Sequence, residues 1–187
     1  MRIIGGTWRS RRLRFPSAPE IRPTPDRVRE TLFNWLAPRI AGARCLDLFA
    51  GSGALGLEAL SRGASRVVFV ERERLAAAEL RRLLDEWDAR GGTLVRADAQ
   101  RFLAGVADPF DVVFLDPPFA SRDLLSDVAA RLETGGWLAP QALIYVECAA
   151  REGLPELPSS WKAAKTGRAG EVGYHLLERT ARGERSE

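Results

Sequence analysis

Asp116-Pro117-Pro118-Phe119 follows directly on the apolar run Val112-Val113-Phe114-Leu115. Two prolines fix the backbone where a buried strand would end. In an open parallel sheet, that carboxyl edge is where ligands bind. Asp116 offers carboxylate oxygens, and the Pro117 carbonyl would point the same way, with no amide donor at Pro118 to compete. Together these acceptors can hold both hydrogens of an exocyclic NH2 group on a nucleobase, and Phe119 offers a face on which the base can stack. Such an amine is a poor nucleophile, because its lone pair is delocalised into the ring. Acceptors that draw it towards tetrahedral geometry aim the lone pair and stabilise the positive charge that develops as a bond forms. In-line placement supplies much of the rest. The chemistry asks for no metal and no covalent intermediate. The lone His175 sits in a strand-like stretch and reads as structural or surface.

A second run, Asp47-Leu48-Phe49-Ala50-Gly51-Ser52-Gly53-Ala54-Leu55-Gly56, follows a strand pattern and opens a helix. Its glycines allow a tight turn and a close approach of ligand to backbone, and the helix N-terminus can receive polar or negative groups. Gly51, Gly53 and Gly56 spell G-x-G-x-x-G, and Glu71 follows Gly51 by 20 residues, where an acid can bind two ribose hydroxyls. So far a nicotinamide dinucleotide and S-adenosylmethionine fit equally. Asp47 separates them, since a carboxylate four residues before the first glycine repels a pyrophosphate but can meet an α-amino group. Asp98, at the end of a third strand in Arg96-Ala97-Asp98-Ala99-Gln100, can accept from an adenine amine, cap the following helix, or both.

These residues need a scaffold that brings strand ends together, and the pattern supplies one. Short apolar strands over 45–50, 66–70, 93–97, 111–115 and 142–148 alternate with helices over 54–61, 74–87, 100–105 and 124–132. That alternation predicts an α/β, Rossmann-like fold, with a doubly wound, mostly parallel sheet covered on both faces. Two further strands, 161–166 and 172–177, joined by a turn at 167–170, bring the sheet to seven and add a C-terminal antiparallel strand. Ahead of the sheet, residues 2–15 read as a hairpin with Trp8, Arg9, Arg11 and Arg12 at its tip. A Pro-rich connection then leads to a helix capped by Thr24, with Pro25 at its first position, running to about Leu36. We divide the chain into an extension over 1–36, a main domain over 37–180 and a frayed tail over 181–187.

The net charge of +3 conceals an asymmetry. Residues 1–29 carry eight arginines against Glu20 and Asp26, a net of +6, which leaves −3 for the rest. A basic segment on a mildly acidic body predicts a polyanion contact at one end, and aromatic and guanidinium groups together suit bases and phosphates. No stretch approaches the ~20 apolar residues that span a bilayer. The N-terminus lacks the pattern of a secretory signal. Cys45 and Cys148 lie in apolar runs and predict buried free thiols in a reducing cytoplasm.

The glycine turn, Glu71, Asp98 and the Asp-Pro-Pro-Phe element resemble the class I methyltransferases that modify amino groups. Arg2-Ile3-Ile4-Gly5-Gly6-Thr7-Trp8-Arg9, the block from Arg22-Pro23-Thr24-Pro25 to Asn34-Trp35-Leu36, and Gly170-Glu171-Val172-Gly173-Tyr174 narrow the resemblance. They are similar to the bacterial family that methylates N2 of guanine-966 in 16S ribosomal RNA. The resemblance covers roughly residues 2–178 and implies S-adenosylmethionine as cofactor. It implies that Asp47 and the backbone of Phe49, Ala50, Gly51, Ser52 and Gly53 hold the methionine part, that Glu71 with Arg72 beside it binds ribose, and that Asp98 and Ala99 bind adenine. Thr24 and Asn34 would close over the cofactor, while Asp116, Pro117 and Phe119 position guanine. Trp8, Arg9, Arg11, Arg12 and Arg22 would grip RNA. The implied substrate is 16S ribosomal RNA in the small subunit or an assembly intermediate, met by a cytoplasmic monomer. DNA adenine-N6 methylation is the alternative, though such enzymes usually carry a dedicated target-recognition domain. A dinucleotide oxidoreductase would leave Asp-Pro-Pro-Phe unexplained, and a non-catalytic RNA-binding module would have no reason to keep Asp116 and Glu71 together.

Overall fold

The computed structural model describes residues 1–13, 25–117 and 122–180. Helix α1 is Asp26–Ile40, followed by β1 (Arg44–Asp47), α2 (Ala54–Ser61), β2 (Arg66–Val70), α3 (Arg74–Glu86), β3 (Gly92–Val95), α4 (Ala99–Leu103), β4 (Phe110–Leu115), α5 (Arg122–Thr134), β5 (Leu138–Ala149), β6 (Trp161–Ala169) and β7 (Val172–Arg179). The seven strands form one sheet in the order β3-β2-β1-β4-β5-β7-β6. The first five are parallel, and β7 runs antiparallel to both β5 and β6.

Periodicity explains which face each helix buries. Ala76, Ala77, Leu80, Leu83 and Leu84 form one stripe of α3. The central strands are apolar on both sides because both sides are covered. One face packs against α1, α2 and α3 around Leu32, Phe33, Leu57, Phe69, Phe114 and Tyr145. The other packs against α4 and α5 around Leu103, Val113, Leu115, Leu125 and Val128. β3 and β6 are the two edge strands of the sheet. The chain's two lysines, Lys162 and Lys165, are exposed on β6, a charge pattern that discourages edge-to-edge pairing.

The chain passes from β1 outwards to β2 and β3, then returns to β4 on the other side of β1. This reversal opens a crevice at the carboxyl ends of β1 and β4, the switch point where open α/β sheets bind ligands.

Several boundaries differ from the sequence reading. Helix α1 continues through Pro38 to Ile40 rather than ending near Leu36. The proline gives up one hydrogen bond, to the carbonyl of exposed Asn34, while Ile40 gains a place in the core. Pro25 is the residue before the helix rather than its first position, and its carbonyl accepts from the amides of Val28 and Arg29. Strand β5 begins at Leu138, paired with Phe110 beyond a register shift. Pro140 sits in that irregular stretch, where no ladder donor is required. The turn expected at 167–170 narrows to Gly170 and Glu171. Gly167 belongs to β6, and a Cβ there would lie 2.2 Å from the Tyr174 ring, so this glycine marks close packing rather than a turn. The hairpin is present as far as Leu13, with Arg2 bridged to Arg12. Residues 14–24 and 181–187, and the readings made on them, lie outside the described residues.

Candidate active site

The glycine turn is held from both flanks. The Ala50 amide donates to Val70 on β2, and the Leu48 amide donates to Phe114 on β4. Gly51 and Gly53 have φ of +50° and +74°, which side chains with a Cβ rarely adopt. Around Gly51 the space is open, whereas a Cβ on Gly53 would strike Leu80 at 2.5 Å and one on Gly56 would strike Phe69 at 2.2 Å. The three glycines therefore divide the work: Gly51 leaves room for a ligand, Gly53 makes room for Leu80 of α3, and Gly56 lets α2 lie close on the sheet.

Three acids surround the turn. Asp47 is buried at the end of β1, and its Oδ2 accepts from the Gly56 amide at 3.0 Å. Burial pushes its pKa up to about 7, against the pull of that amide, and the nearby Glu71 carboxylate adds to the rise. Glu71 is also buried. Its Oε2 accepts from the Gly51 amide at 2.6 Å, and its Oε1 from the Glu73 amide at 2.7 Å. In the register, Asp47 lies beside Phe69 on β2 and Phe114 on β4. Glu71 and Asp116 are thus each two residues beyond Asp47, on opposite sides of the turn. With strands ~4.8 Å apart, they stand on the order of 10 Å from each other.

Asp98 ends the loop after β3 and caps α4, its Oδ1 accepting from the Arg101 amide at 2.8 Å. The capping reading therefore holds. Ala99 is buried behind it. Arg72 is exposed and pairs with Glu73 at 3.4 Å. Phe49 is half-buried, while Ala50 and Ser52 are buried within the turn. Asn34 is exposed on α1. Asp116 is half-buried and Pro117 buried at the end of β4. Thr24, Arg22 and Phe119 lie outside the described residues.

The basic hairpin is docked by residues that the sequence reading did not single out. The Glu58 carboxylate, fully buried on α2, accepts from the amides of Ile4 and Gly5, both at 2.8 Å, and from Arg62 Nε at 2.7 Å. Ser61 Oγ donates to the Gly5 carbonyl and accepts from the Trp8 amide. Buried Arg29 holds the Arg2 carbonyl through Nη2, and its Nη1 lies 3.9 Å from Glu58. An acid inside an eight-residue helix that is apolar apart from Ser61 was the available signal for Glu58. Trp8 packs on Trp87 with ring centroids 5.3 Å apart, and Arg11 lies over that same Trp87 ring. Arg11, Arg12, Arg82 and Trp87 line an open cleft of about 510 Å³. Ser61 and Trp87 close the C-terminal ends of α2 and α3, so the hairpin tip lies at the sheet edge opposite the glycine turn.

Both cysteines are buried free thiols. His175 is buried between Thr166 Oγ1 at 3.1 Å and Cys148 Sγ at 3.6 Å, and burial lowers its pKa, which suits a structural role. Among the described residues no His, Cys, Asp and Glu cluster could hold a metal ion, and no helix is long and apolar enough to cross a membrane.

The sequence matches the family described as Conserved hypothetical protein 95 over residues 1–178. The Escherichia coli K12 protein named ribosomal RNA small subunit methyltransferase D is 50% identical over 184 residues, covering 98% of this chain and 92% of its own. The Haemophilus influenzae protein of the same name is 42% identical over 182 residues, covering 95% and 93%. The solved structure of Escherichia coli yhhF, described as a candidate methyltransferase, superposes with a TM-score of 0.91 at 48% identity, covering 97% of this chain and 99% of that one. On a likeness that runs through hairpin, glycine turn and terminal strands alike, the chain belongs to this family and is a methyltransferase of the Rossmann-like fold.

Proposed function

We propose that the protein transfers a methyl group from S-adenosylmethionine to the exocyclic N2 of a guanine in 16S ribosomal RNA of the small subunit. The observation that carries this reading is the placement of Asp116-Pro117 beside the glycine turn, across the switch point from Glu71. The small-subunit name of the Escherichia coli and Haemophilus influenzae relatives supports the substrate.

The site suits this cofactor on chemical grounds. A buried carboxylate with a raised pKa, Asp47, is a natural partner for an ammonium group. The open space at Gly51 and the α2 N-terminus suit the carboxylate end of an amino acid. Glu71 retains lone pairs for ribose hydroxyls beyond those its backbone amides occupy. When bound, S-adenosylmethionine supplies a methyl group activated by its sulfonium. Asp116 and the Pro117 carbonyl then hold the guanine amine and turn its lone pair out of the ring. Asp116 stabilises the charge that grows on nitrogen and, already its hydrogen-bond acceptor, receives the proton released once the N–C bond has formed. The target base is flipped from its stack or lies in a loop. The hairpin arginines hold phosphates on the other edge of the protein, so the RNA spans more than the length of α3, on the order of 20 Å. The substrate form is a small subunit or assembly intermediate carrying some of its proteins, and the enzyme acts as a monomer.

The test is methyl transfer from labelled S-adenosylmethionine to small subunits that lack their own modification, followed by nucleoside analysis. Label in N2-methylguanosine is the expected result. Cofactor binding without label in the RNA would overturn the substrate and point to DNA or another amine.

A further inference from the structure

Glu147 is buried one strand away from Asp116, and the chemistry assigned above gives it no part. Strands β4 and β5 run parallel with Leu115 beside Val146, so the next step along both places Asp116 beside Glu147. Phe114 and Tyr145, one pair earlier, both pack into the core under α1, and residues two apart on a strand share a face. The two acids therefore face the same way. The Tyr145 hydroxyl donates to Glu147 Oε1 at 2.6 Å and fixes the carboxylate. Tyr145 senses both acids: burial, then Glu147, then Asp116 hold its pKa well above the ordinary tyrosine range. On the other side, Tyr174 of β7 pairs with Glu147, and its ring meets Trp35 of α1 at 5.5 Å.

Burying a second carboxylate beside the first is costly, and a glutamine would fill the same space. The chemistry of nucleobases offers a reason for the acid. Guanine, adenine and cytosine all carry an exocyclic amine, so an acceptor for that amine cannot tell them apart. The ring position beside the amine does. In guanine it is N1–H, a donor; in adenine and cytosine the corresponding nitrogen is an acceptor. A second acceptor next to the one that takes the amine therefore pairs with guanine and opposes the other two. Strand spacing of ~4.8 Å lets two side chains converge on neighbouring atoms of one base edge.

We propose that Glu147 accepts the N1–H of the target guanine while Asp116 takes its N2 amine, so that the two carboxylates together select guanine by its Watson–Crick edge. This rests on the guanine-N2 reading above. It makes Glu147 a specificity residue in contact with substrate, and it assigns to β5 a role that the Asp-Pro-Pro-Phe element does not cover.

The experiment uses small subunits reconstituted with either guanine or 2-aminopurine at the target position. 2-Aminopurine keeps the 2-amine but has a bare ring nitrogen in place of N1–H. Wild-type enzyme is expected to lose roughly 10–100-fold in kcat/KM on 2-aminopurine, the worth of one well-placed base contact. Glu147→Gln should lose a similar factor on guanine and discriminate less, because its amide NH2 can donate to the bare nitrogen. Unchanged affinity for S-adenosylhomocysteine and a cooperative melt would show that the variant is folded. Equal wild-type activity on the two bases overturns the inference without any variant. Glu147→Gln activity that is unchanged on guanine, or reduced equally on both bases, also overturns it. Wild-type enzyme that labels no guanine N2 at all overturns the underlying reading, and this one with it.

Discussion

The Gly51 amide donates to Glu71 Oε2 at 2.6 Å, so the acid read as the ribose ligand is also the pin of the glycine turn. The two functions are coupled. Glu71→Ala removes a ribose partner and leaves the Gly51 and Glu73 amides without theirs. The cofactor Kd should weaken by about 1–3 kcal/mol, or ~5–150-fold, and the melting temperature should fall with it. Calorimetric titration with S-adenosylhomocysteine, alongside thermal unfolding, measures both. Unchanged affinity would remove Glu71 from the cofactor site.

Asp47 predicts a pH dependence of defined sign. An aspartate in an unfolded chain titrates near ~3.9, and burial pushes Asp47 up to about 7. Between these values the folded chain keeps a proton that the unfolded chain has lost, so stability without cofactor falls as pH rises through that window. Asp47→Asn should remove this slope and be more stable than wild type at pH ~8 by roughly 2–4 kcal/mol. Cofactor binding should move the other way. Its ammonium prefers the ionised acid, so wild-type affinity should tighten roughly 10-fold from pH ~6 to pH ~8 and stay flat in the variant. Parallel pH profiles for the two proteins would take Asp47 out of the ammonium contact.

Asp116→Ala tests the reacting end of the site. Methylation of small subunits should be lost, while affinity for S-adenosylhomocysteine should stay within a few-fold of wild type. Near-full turnover in the labelled-methyl assay would end the role assigned to this carboxylate.

Glu58 predicts the stability of the hairpin. Its carboxylate holds two backbone amides and two arginines in a fully buried position. Glu58→Ala removes the partner of Arg62 and of the Ile4 and Gly5 amides, leaves Arg29 with Asp26 and the Arg2 carbonyl, and should cost about 3–5 kcal/mol in urea unfolding. Gly6→Ala attacks the same contact from the other side, since a Cβ there would lie 1.8 Å from the Ser61 carbonyl oxygen. In hydrogen exchange, both variants should lose protection at Thr7 and Trp8, whose amides bond to Ser61 in the wild type. Retained protection would show that the hairpin is held by other means.

Neutralising Arg9, Arg11 and Arg12 should weaken RNA binding and flatten its salt dependence by about 2–3 units of logarithmic slope, if all three meet phosphates. Filter binding of ribosomal RNA across a salt series reads this directly. An unchanged slope would place the RNA surface on another face.

The sequence by itself determined the elements and the order of the chemistry. Local periodicity distinguishes strand from helix, and the glycine turn, Glu71, Asp98 and Asp116 each follow a strand, so their arrival at one sheet edge follows from parallel topology alone. Where the reading of boundaries failed, at Pro38, Pro140 and Gly167, a local rule met a tertiary reward: core space for Ile40, a register shift, room for the Tyr174 ring. Only the tertiary structure decided what lies beside what across long separations. Glu58 reaches back more than fifty residues to the hairpin, Trp8 packs on Trp87, and Glu147 stands next to Asp116 because β5 pairs with β4. These pairings depend on strand order and helix docking, which no local spacing records. Their partners are buried polar or aromatic groups, whose cost is met only once the whole core has formed.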